Sequence, residues 1–158
     1  MPDGLTDPSH TARQEWMALL AKANRDELEE AWQALSPKPA YALLRKPEIG
    51  LAMVRGRAGG TGNPFNLGEM TMTRCAVRLE IEPHAVGLSY IAGRDTRHAE
   101  LAALLDALMQ TPQRSVFVKK TLLPAIRQRL DTQRRQRAAE SAATRVDFFT
   151  MVREQGSD

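Results

Sequence analysis

Residue types suited to anion binding are concentrated in one segment, 55–65, with the sequence Arg-Gly-Arg-Ala-Gly-Gly-Thr-Gly-Asn-Pro-Phe. Glycine permits positive φ and lets backbone N–H groups approach a ligand closely, and arginine donates paired hydrogen bonds to a phosphate or carboxylate. The segment therefore predicts either an anion site or a turn that another chain covers. The candidate residues are Arg55, Arg57, Gly59, Gly60, Thr61, Gly62 and, farther along the chain, Arg74.

Two familiar nucleotide-binding motifs do not fit this segment. A Walker A loop has lysine and then serine or threonine after its last glycine, whereas Asn63 and Pro64 follow here. The dinucleotide-binding motif joins a strand to a helix, whereas this segment joins two predicted strands. An anion cradle and a purely structural turn therefore remain as alternatives.

The other reactive side chains form no recognisable catalytic or metal-binding set. The three histidines are scattered along the sequence, and Cys75 lies in the middle of a predicted strand, where a buried, inert thiol is expected. His98 and Glu100 could act as acid–base groups, but a solvated helix start would explain both. We therefore predict no catalytic residue, no metal site and no cofactor bound by this chain.

Spacing of apolar residues predicts an α+β fold that positions the glycine-rich segment between strands. An N-terminal helical pair ends before Pro37, and a packed helix begins after the N-cap residue Asp95. The sheet is predicted to be four-stranded and mainly antiparallel, with a turn at 47–50 and a β-bulge or bend near residues 73–74. The predicted strands cover residues 41–46, 51–57, about 68–80 and 87–92.

The last third of the chain predicts a long helical arm with too few apolar residues to pack on its own domain. The helical pattern runs from 113 to about 144 with an interruption expected at Pro124, and large apolar residues nearly vanish after Leu130. We therefore predict a single domain over 1–130 and, over 131–158, a C-terminal arm with an apolar tail for subunit docking. The candidate docking residues are Arg145, Val146, Phe148, Phe149 and Met151.

Composition favours a soluble, cytoplasmic protein. Of the 158 residues, 42% are apolar and 26% charged, and no apolar run reaches the roughly 18 residues of a membrane helix. A single cysteine permits no internal disulfide, and no basic and then apolar leader is visible at the N-terminus.

A set of segments, taken in order, resembles PhnG of the bacterial carbon–phosphorus lyase system. Together they cover nearly the whole chain, and one departure is Ile49, where the family commonly has threonine. The segments are 50–51 (Gly-Leu) with 57–62 (Arg-Ala-Gly-Gly-Thr-Gly), 73–79 (Thr-Arg-Cys-Ala-Val-Arg-Leu), 93–100 (Gly-Arg-Asp-Thr-Arg-His-Ala-Glu) continuing to 106–110, and 144–153 (Thr-Arg-Val-Asp-Phe-Phe-Thr-Met-Val-Arg).

The resemblance implies a subunit of a core complex with PhnH-, PhnI- and PhnJ-like proteins, assisted by ATPase-like PhnL and PhnK proteins. Such a complex converts ATP and an alkylphosphonate, for example methylphosphonate, to α-D-ribose 1-methylphosphonate 5-triphosphate and adenine. This is transferase chemistry in which the isolated chain is expected to hold no catalytic residue. ATP is a co-substrate of the complex, and an iron–sulfur cluster is expected in a partner subunit.

The alternative hypothesis is a stand-alone basic adaptor that binds nucleic acid or an acidic partner through residues 114–137. Residues 112–145 contain nine basic residues against Asp131 and Glu140. Phe117 is the one aromatic residue of this stretch that could stack on a base. We therefore expect neither nucleic acid nor a membrane among the partners.

Overall fold

The structure, a computed structural model, describes residues 8–82 and 84–143. The chain divides into two compact units, residues 1–127 and 128–158. The predicted roles, a domain over 1–130 and a docking arm over 131–158, stay a prediction. No helix of the described residues is both long and apolar enough to cross a membrane.

Two helices occupy the positions predicted for the N-terminal pair. They are α1 (Pro8–Leu20) and α2 (Arg25–Gln33). At the start of α2, the backbone N–H of Asn24 donates to a carboxylate oxygen of Glu27 at 2.8 Å. This bond satisfies one donor at the helix start and fixes where the helix begins.

The sheet of the described residues has three antiparallel strands in the order β1-β2-β3, so the prediction of four strands was wrong. Residues 41–46 and 51–57, predicted as two strands, belong to one continuous strand. Pro47 does not turn the chain, because it lies in a bulge of this edge strand, between Arg45 and Glu48, where a missing N–H is tolerated. The strands are β1 (Tyr41–Arg57), β2 (Pro64–Leu79) and β3 (Val86–Ala92).

The bulge predicted near residues 73–74 is also absent from β2. Residues 72–78 of β2 pair with β3 in unbroken register. Met70 and Met72 lie on the face opposite to the buried side chains. The alternation of side chains along β2 is therefore regular, and no bulge is needed to explain it. The side chains of β2 that share the buried face are Thr73, Cys75, Val77 and Leu79.

Helix α3 (Thr96–Met109) forms the core against that buried face, and Asp95 caps it as predicted. The carboxylate of Asp95 accepts from the backbone N–H of His98 at 2.9 Å. Gly87 of β3 permits a close approach, because a Cβ there would lie 1.9 Å from the carbonyl oxygen of Ala103. The α+β class is therefore confirmed, with helix and sheet almost in backbone contact.

After α3 and a short turn at residues 110–111, the chain is helical again and changes its pitch before Pro124. Helix α4 (Pro112–Phe117) leads into a π-helical turn, Val118–Leu122, and then into α5 (Leu123–Ala143). The N–H of Leu123 donates to the carbonyl oxygen of Val118. Such a wide turn is a common adjustment where proline cannot donate to the α-helical ladder, and it agrees with the predicted interruption.

Candidate functional site

The candidate residues of segment 55–65 lie at the end of a projecting β-hairpin. β3 pairs with β2 only over residues 72–78, so in the described part of the chain no other strand lies beside residues 51–57 of β1 and 64–71 of β2. We call residues 51–71 the hairpin arm. Its strands extend about 23 Å at the usual rise of a β-strand. No residue of the arm is buried.

Large apolar side chains occupy both faces of the hairpin arm. Leu51 (66% exposed) and Met53 project on the face that carries the buried residues of β2. Leu67 (62% exposed), Phe65 and Met70 are exposed on the other face. The register of the ladder places Phe65 and Met70 there, and Leu67, which has no partner in the register, extends over Gly56 on the same face. A solvated antiparallel strand normally has one polar face, so apolar residues on both faces are typical of a strand covered from both sides.

The turn of the hairpin arm is held by hydrogen bonds within the arm itself. Gly59 and Gly60 have φ values of 59° and 79°, which side chains other than glycine rarely adopt. The N–H of Gly62 donates to the carbonyl oxygen of Ala58 at 3.1 Å. Arg57 closes the turn, because its Nη1 donates to the carbonyl oxygen of Gly62 at 3.0 Å. Glycine and arginine therefore have a structural use here.

The predicted anion-binding set is only partly brought together. Arg55, Arg57 and Thr61 lie at the end of the arm, whereas Arg74 lies at its base. Arg74 pairs with the carboxylate of Glu48 at 3.2 Å, and Glu48 is seven residues, about 23 Å, from Arg55 along β1. A ligand the size of a phosphate could reach the arm's end or Arg74, but not both.

Two predicted acid–base candidates are held by contacts between elements. His98 is only 7% exposed, so the prediction of a solvated helix start was wrong for this residue. Its Nε2 lies 2.9 Å from the carbonyl oxygen of Leu20 and joins α3 to α1. Glu100 accepts from the hydroxyl of Tyr41 at 2.7 Å and from Arg97 at 3.2 Å.

Arg97 also forms a paired contact with Glu29 that ties α3 to α2. Its Nε and Nη2 donate to the two carboxylate oxygens of Glu29 at 2.8 and 3.0 Å. This hydrogen bonding lowers the pKa of Glu29 to about 2 and raises the pKa of Arg97. Partial burial, together with the bond to Glu100, raises the pKa of Tyr41. The contacts therefore stabilise the charged forms of Glu29 and Arg97 and the neutral form of Tyr41. Groups that keep one protonation state in this way are suited to a structural role.

Asp106 is a buried carboxylate that the sequence analysis missed. Arg13 donates to both of its oxygens, at 3.2 and 2.7 Å, and the indole N–H of Trp16 donates at 2.8 Å. The backbone N–H of Leu88 adds a bond at 2.9 Å. One signal was available, because Asp106 interrupts the apolar stripe of α3. It joins α1, α3 and β3.

The thiol of Cys75 is buried, as predicted, and its surroundings favour the protonated form. Burial raises its pKa to about 11, and Sγ lies 3.4 Å from the carbonyl oxygen of Arg45. A thiol of such high pKa is a poor nucleophile at neutral pH. Among the described residues, no three His, Cys, Asp or Glu side chains are grouped to hold a metal ion.

The second unit contributes a helix with little apolar surface. Within α5, residues 128–143 include no buried residue. The candidate docking residues Arg145, Val146, Phe148, Phe149 and Met151 lie outside the described residues.

Known proteins are similar to this chain over nearly its full length. The family described as "Phosphonate metabolism protein PhnG" matches residues 11–154. A curated protein of Rhizobium meliloti (strain 1021), named "Alpha-D-ribose 1-methylphosphonate 5-triphosphate synthase subunit PhnG", is 48% identical over 147 residues. The alignment covers 93% of this chain and 92% of that relative.

Proposed function

The chain belongs to the PhnG family of phosphonate metabolism proteins, and from that premise we propose that it is a subunit of a carbon–phosphorus lyase core complex. With its partners it converts ATP and an alkylphosphonate, such as methylphosphonate, to α-D-ribose 1-methylphosphonate 5-triphosphate and adenine. The observation that carries the proposal is the 48% identity, over 93% of the chain, to a subunit named for that synthase. It favours this function over a stand-alone basic adaptor.

The role of this chain in that transferase is architectural. Three titratable side chains discussed above, His98, Glu100 and Asp106, each bind another element of the fold. A catalytic acid or base needs access to the substrate, whereas His98 and Asp106 are buried and the side chain of Glu100 is only 19% exposed. We therefore assign the reacting groups to partner subunits in this proposal.

The partners in this proposal are PhnH-, PhnI- and PhnJ-like subunits, with PhnL- and PhnK-like ATPase proteins as accessories. The chain binds no cofactor of its own, since ATP enters as co-substrate of the complex and the iron–sulfur cluster belongs to a partner. The complex works in the cytoplasm. The single buried cysteine of this chain is consistent with the cluster being held elsewhere.

The C-terminal arm over 131–158 is proposed to dock on a neighbouring subunit. A helix that is polar on all sides gains little from packing on its own domain, and residues 128–143 include no buried side chain. Burial of Phe148 and Phe149 in a partner would contribute about 3–6 kcal/mol before the cost of ordering.

Reconstitution tests the subunit assignment. PhnH-, PhnI-, PhnJ- and PhnL-like proteins from the same source are combined with and without this chain, and adenine release from ATP is measured with methylphosphonate present. We expect release to require this chain. Equal release without it would refute the assignment.

Truncation tests the docking role. We expect a chain without residues 145–158 to keep its circular dichroism spectrum and melting temperature, because the truncation leaves the sheet and α3 intact. We also expect it to lose co-purification with the partner subunits. A truncated chain that still co-purifies would show that the tail is not the docking segment.

A further inference from the structure

We infer that the hairpin arm, residues 51–71, inserts into an apolar cleft of another protein subunit and is covered there on both faces. The inference rests on the proposed function, because the occupant is a different subunit of the same assembly. It assigns a second, separate contact to the domain, in addition to the proposed C-terminal tail.

The apolar residues of the arm indicate burial on both sides. Residues 51–54 (Leu-Ala-Met-Val) are apolar without a break, although the two faces of the ladder alternate along them. A flat partner surface would cover one face and leave the other in water. Because Leu51 and Leu67 are exposed on opposite faces, only a cleft or a pair of clamping elements removes both from water.

The bulge at Leu67 enlarges one of these faces. Val54 pairs with Gly68 and Arg55 pairs with Asn66, so Leu67 is the extra residue. Its side chain extends over Gly56, where an added Cβ would lie 2.3 Å from Leu67 Cδ1. Bulges redirect side chains, and this one gathers Leu67 and Phe65 near the end of the arm.

Charge favours an acidic partner over a second copy of this chain. Residues 45–74, the arm and its base, carry five basic and two acidic side chains. Glu48 is already engaged by Arg45 and Arg74 at the base, whereas in the described part of the chain nothing pairs with Arg55. Two arms stacked in either orientation would bring basic groups together. Carboxylates at the inner end of a partner's cleft would instead meet Arg55, which lies at the end of the hairpin arm.

The test uses the full chain co-expressed with its PhnH-, PhnI- and PhnJ-like partners, with affinity capture through a partner's tag. One variant changes one face (Leu51→Ser with Met53→Ser), and another changes the other face (Phe65→Ser with Leu67→Ser). The control is Val116→Ser on α4, because Val116 and Phe65 are each 47% exposed. Melting temperatures of the isolated chains exclude misfolding as the cause of any loss.

We expect each face variant to reduce capture at least about tenfold, as when two buried interface anchors are lost, and V116S to match the unchanged chain. Loss from only one face would replace the cleft with a flat contact and overturn the inference. Capture of both variants at the unchanged level would exclude the arm as an interface. If the unchanged chain itself fails to co-purify, the proposed function fails instead, so the two failures are distinguishable.

Two further measurements identify the occupant. Arg55→Glu should weaken capture, and the loss should shrink as salt is raised, because screening weakens like-charge repulsion. If R55E were captured as well as the unchanged chain, the inference that the partner's cleft is acidic would be overturned. Sedimentation of the isolated chain tests whether a second copy of this chain covers the hairpin arm. If the isolated chain is a dimer that the face variants abolish, while their capture by the partner is unchanged, the inference is also overturned.

Discussion

The two ends of the β1–β2 ladder have the same backbone structure but differ in what covers them. Over residues 73–79 the strand alternates between side chains buried under α3 and exposed ones such as Arg74 and Arg78. Over residues 51–71 nothing is buried, and apolar side chains occur on both faces. Backbone pairing alone therefore does not decide where a strand buries its side chains. The covering element decides it, and for the arm that element is proposed to be a different chain.

The largest effect on stability is expected at Asp106, which joins the covered end of the sheet to helices α1 and α3. Asp106→Ala should lower the free energy of unfolding by about 3–5 kcal/mol, because Arg13 and two N–H donors lose a fully buried partner. Chemical denaturation measures the change. The matched substitution on the arm, Glu69→Ala, should change it by less than about 0.5 kcal/mol. Equal effects would contradict the division of the ladder into a covered and an open end.

A smaller effect is expected from a methyl group added between β3 and α3. Gly87→Ala should destabilise by about 1–3 kcal/mol, because its Cβ would lie 1.9 Å from the carbonyl oxygen of Ala103. Gly50→Ala, at the base of the arm, should be close to neutral, since a Cβ there meets nothing within 4 Å. Thermal melting of the two variants compares them directly. If Gly50→Ala were the more damaging variant, α3 could not pack as closely as described.

Much of the covered end could be predicted from local patterns. The N-cap at Asp95 and the alternation around Val77 each depend on a few neighbouring residues. Asp106 could not be placed, because its donors come from residues about 18 and 90 positions away in the chain. Local patterns carry no information about such contacts.

The open end was predicted less well, for two physical reasons. Pro47 and Gly50 are typical turn residues, yet pairing with β2 extends the chain through them as one strand. The bulge near 73–74 was predicted on the assumption that Met70 and Met72 point inward. That assumption fails because these two side chains lie on the face opposite to α3, where no layer of the described residues covers them. The glycine-rich segment was correctly placed between strands, but its ligand role stays a prediction.

The turn of the arm can be separated from a ligand site by Gly60→Ala. Alanine at a φ of 79° should cost about 1 kcal/mol locally and misalign the end of the arm. We expect weaker assembly, with adenine release per assembled complex unchanged. Assembly is measured by partner capture, and turnover is measured on the complexes that form. A fall in turnover within intact complexes would instead place the turn against a phosphate or phosphonate.

The smallest effect is expected at the partly exposed ion pair between Glu29 of α2 and Arg97 of α3, which stabilises only the covered end of the ladder. The pKa of Glu29 is about 2 in the folded chain and about 4.3 in an unfolded one. Its contribution to stability is therefore complete above about pH 4.3 and is lost as the pH falls toward 2. Glu29→Gln should lower stability slightly at neutral pH and flatten its decline over that interval, whereas Glu69→Gln on the arm should leave the decline unchanged. Denaturation midpoints between pH 2 and 7 measure both slopes, and parallel curves for the two variants would mean that Arg97 does not hold Glu29 in solution.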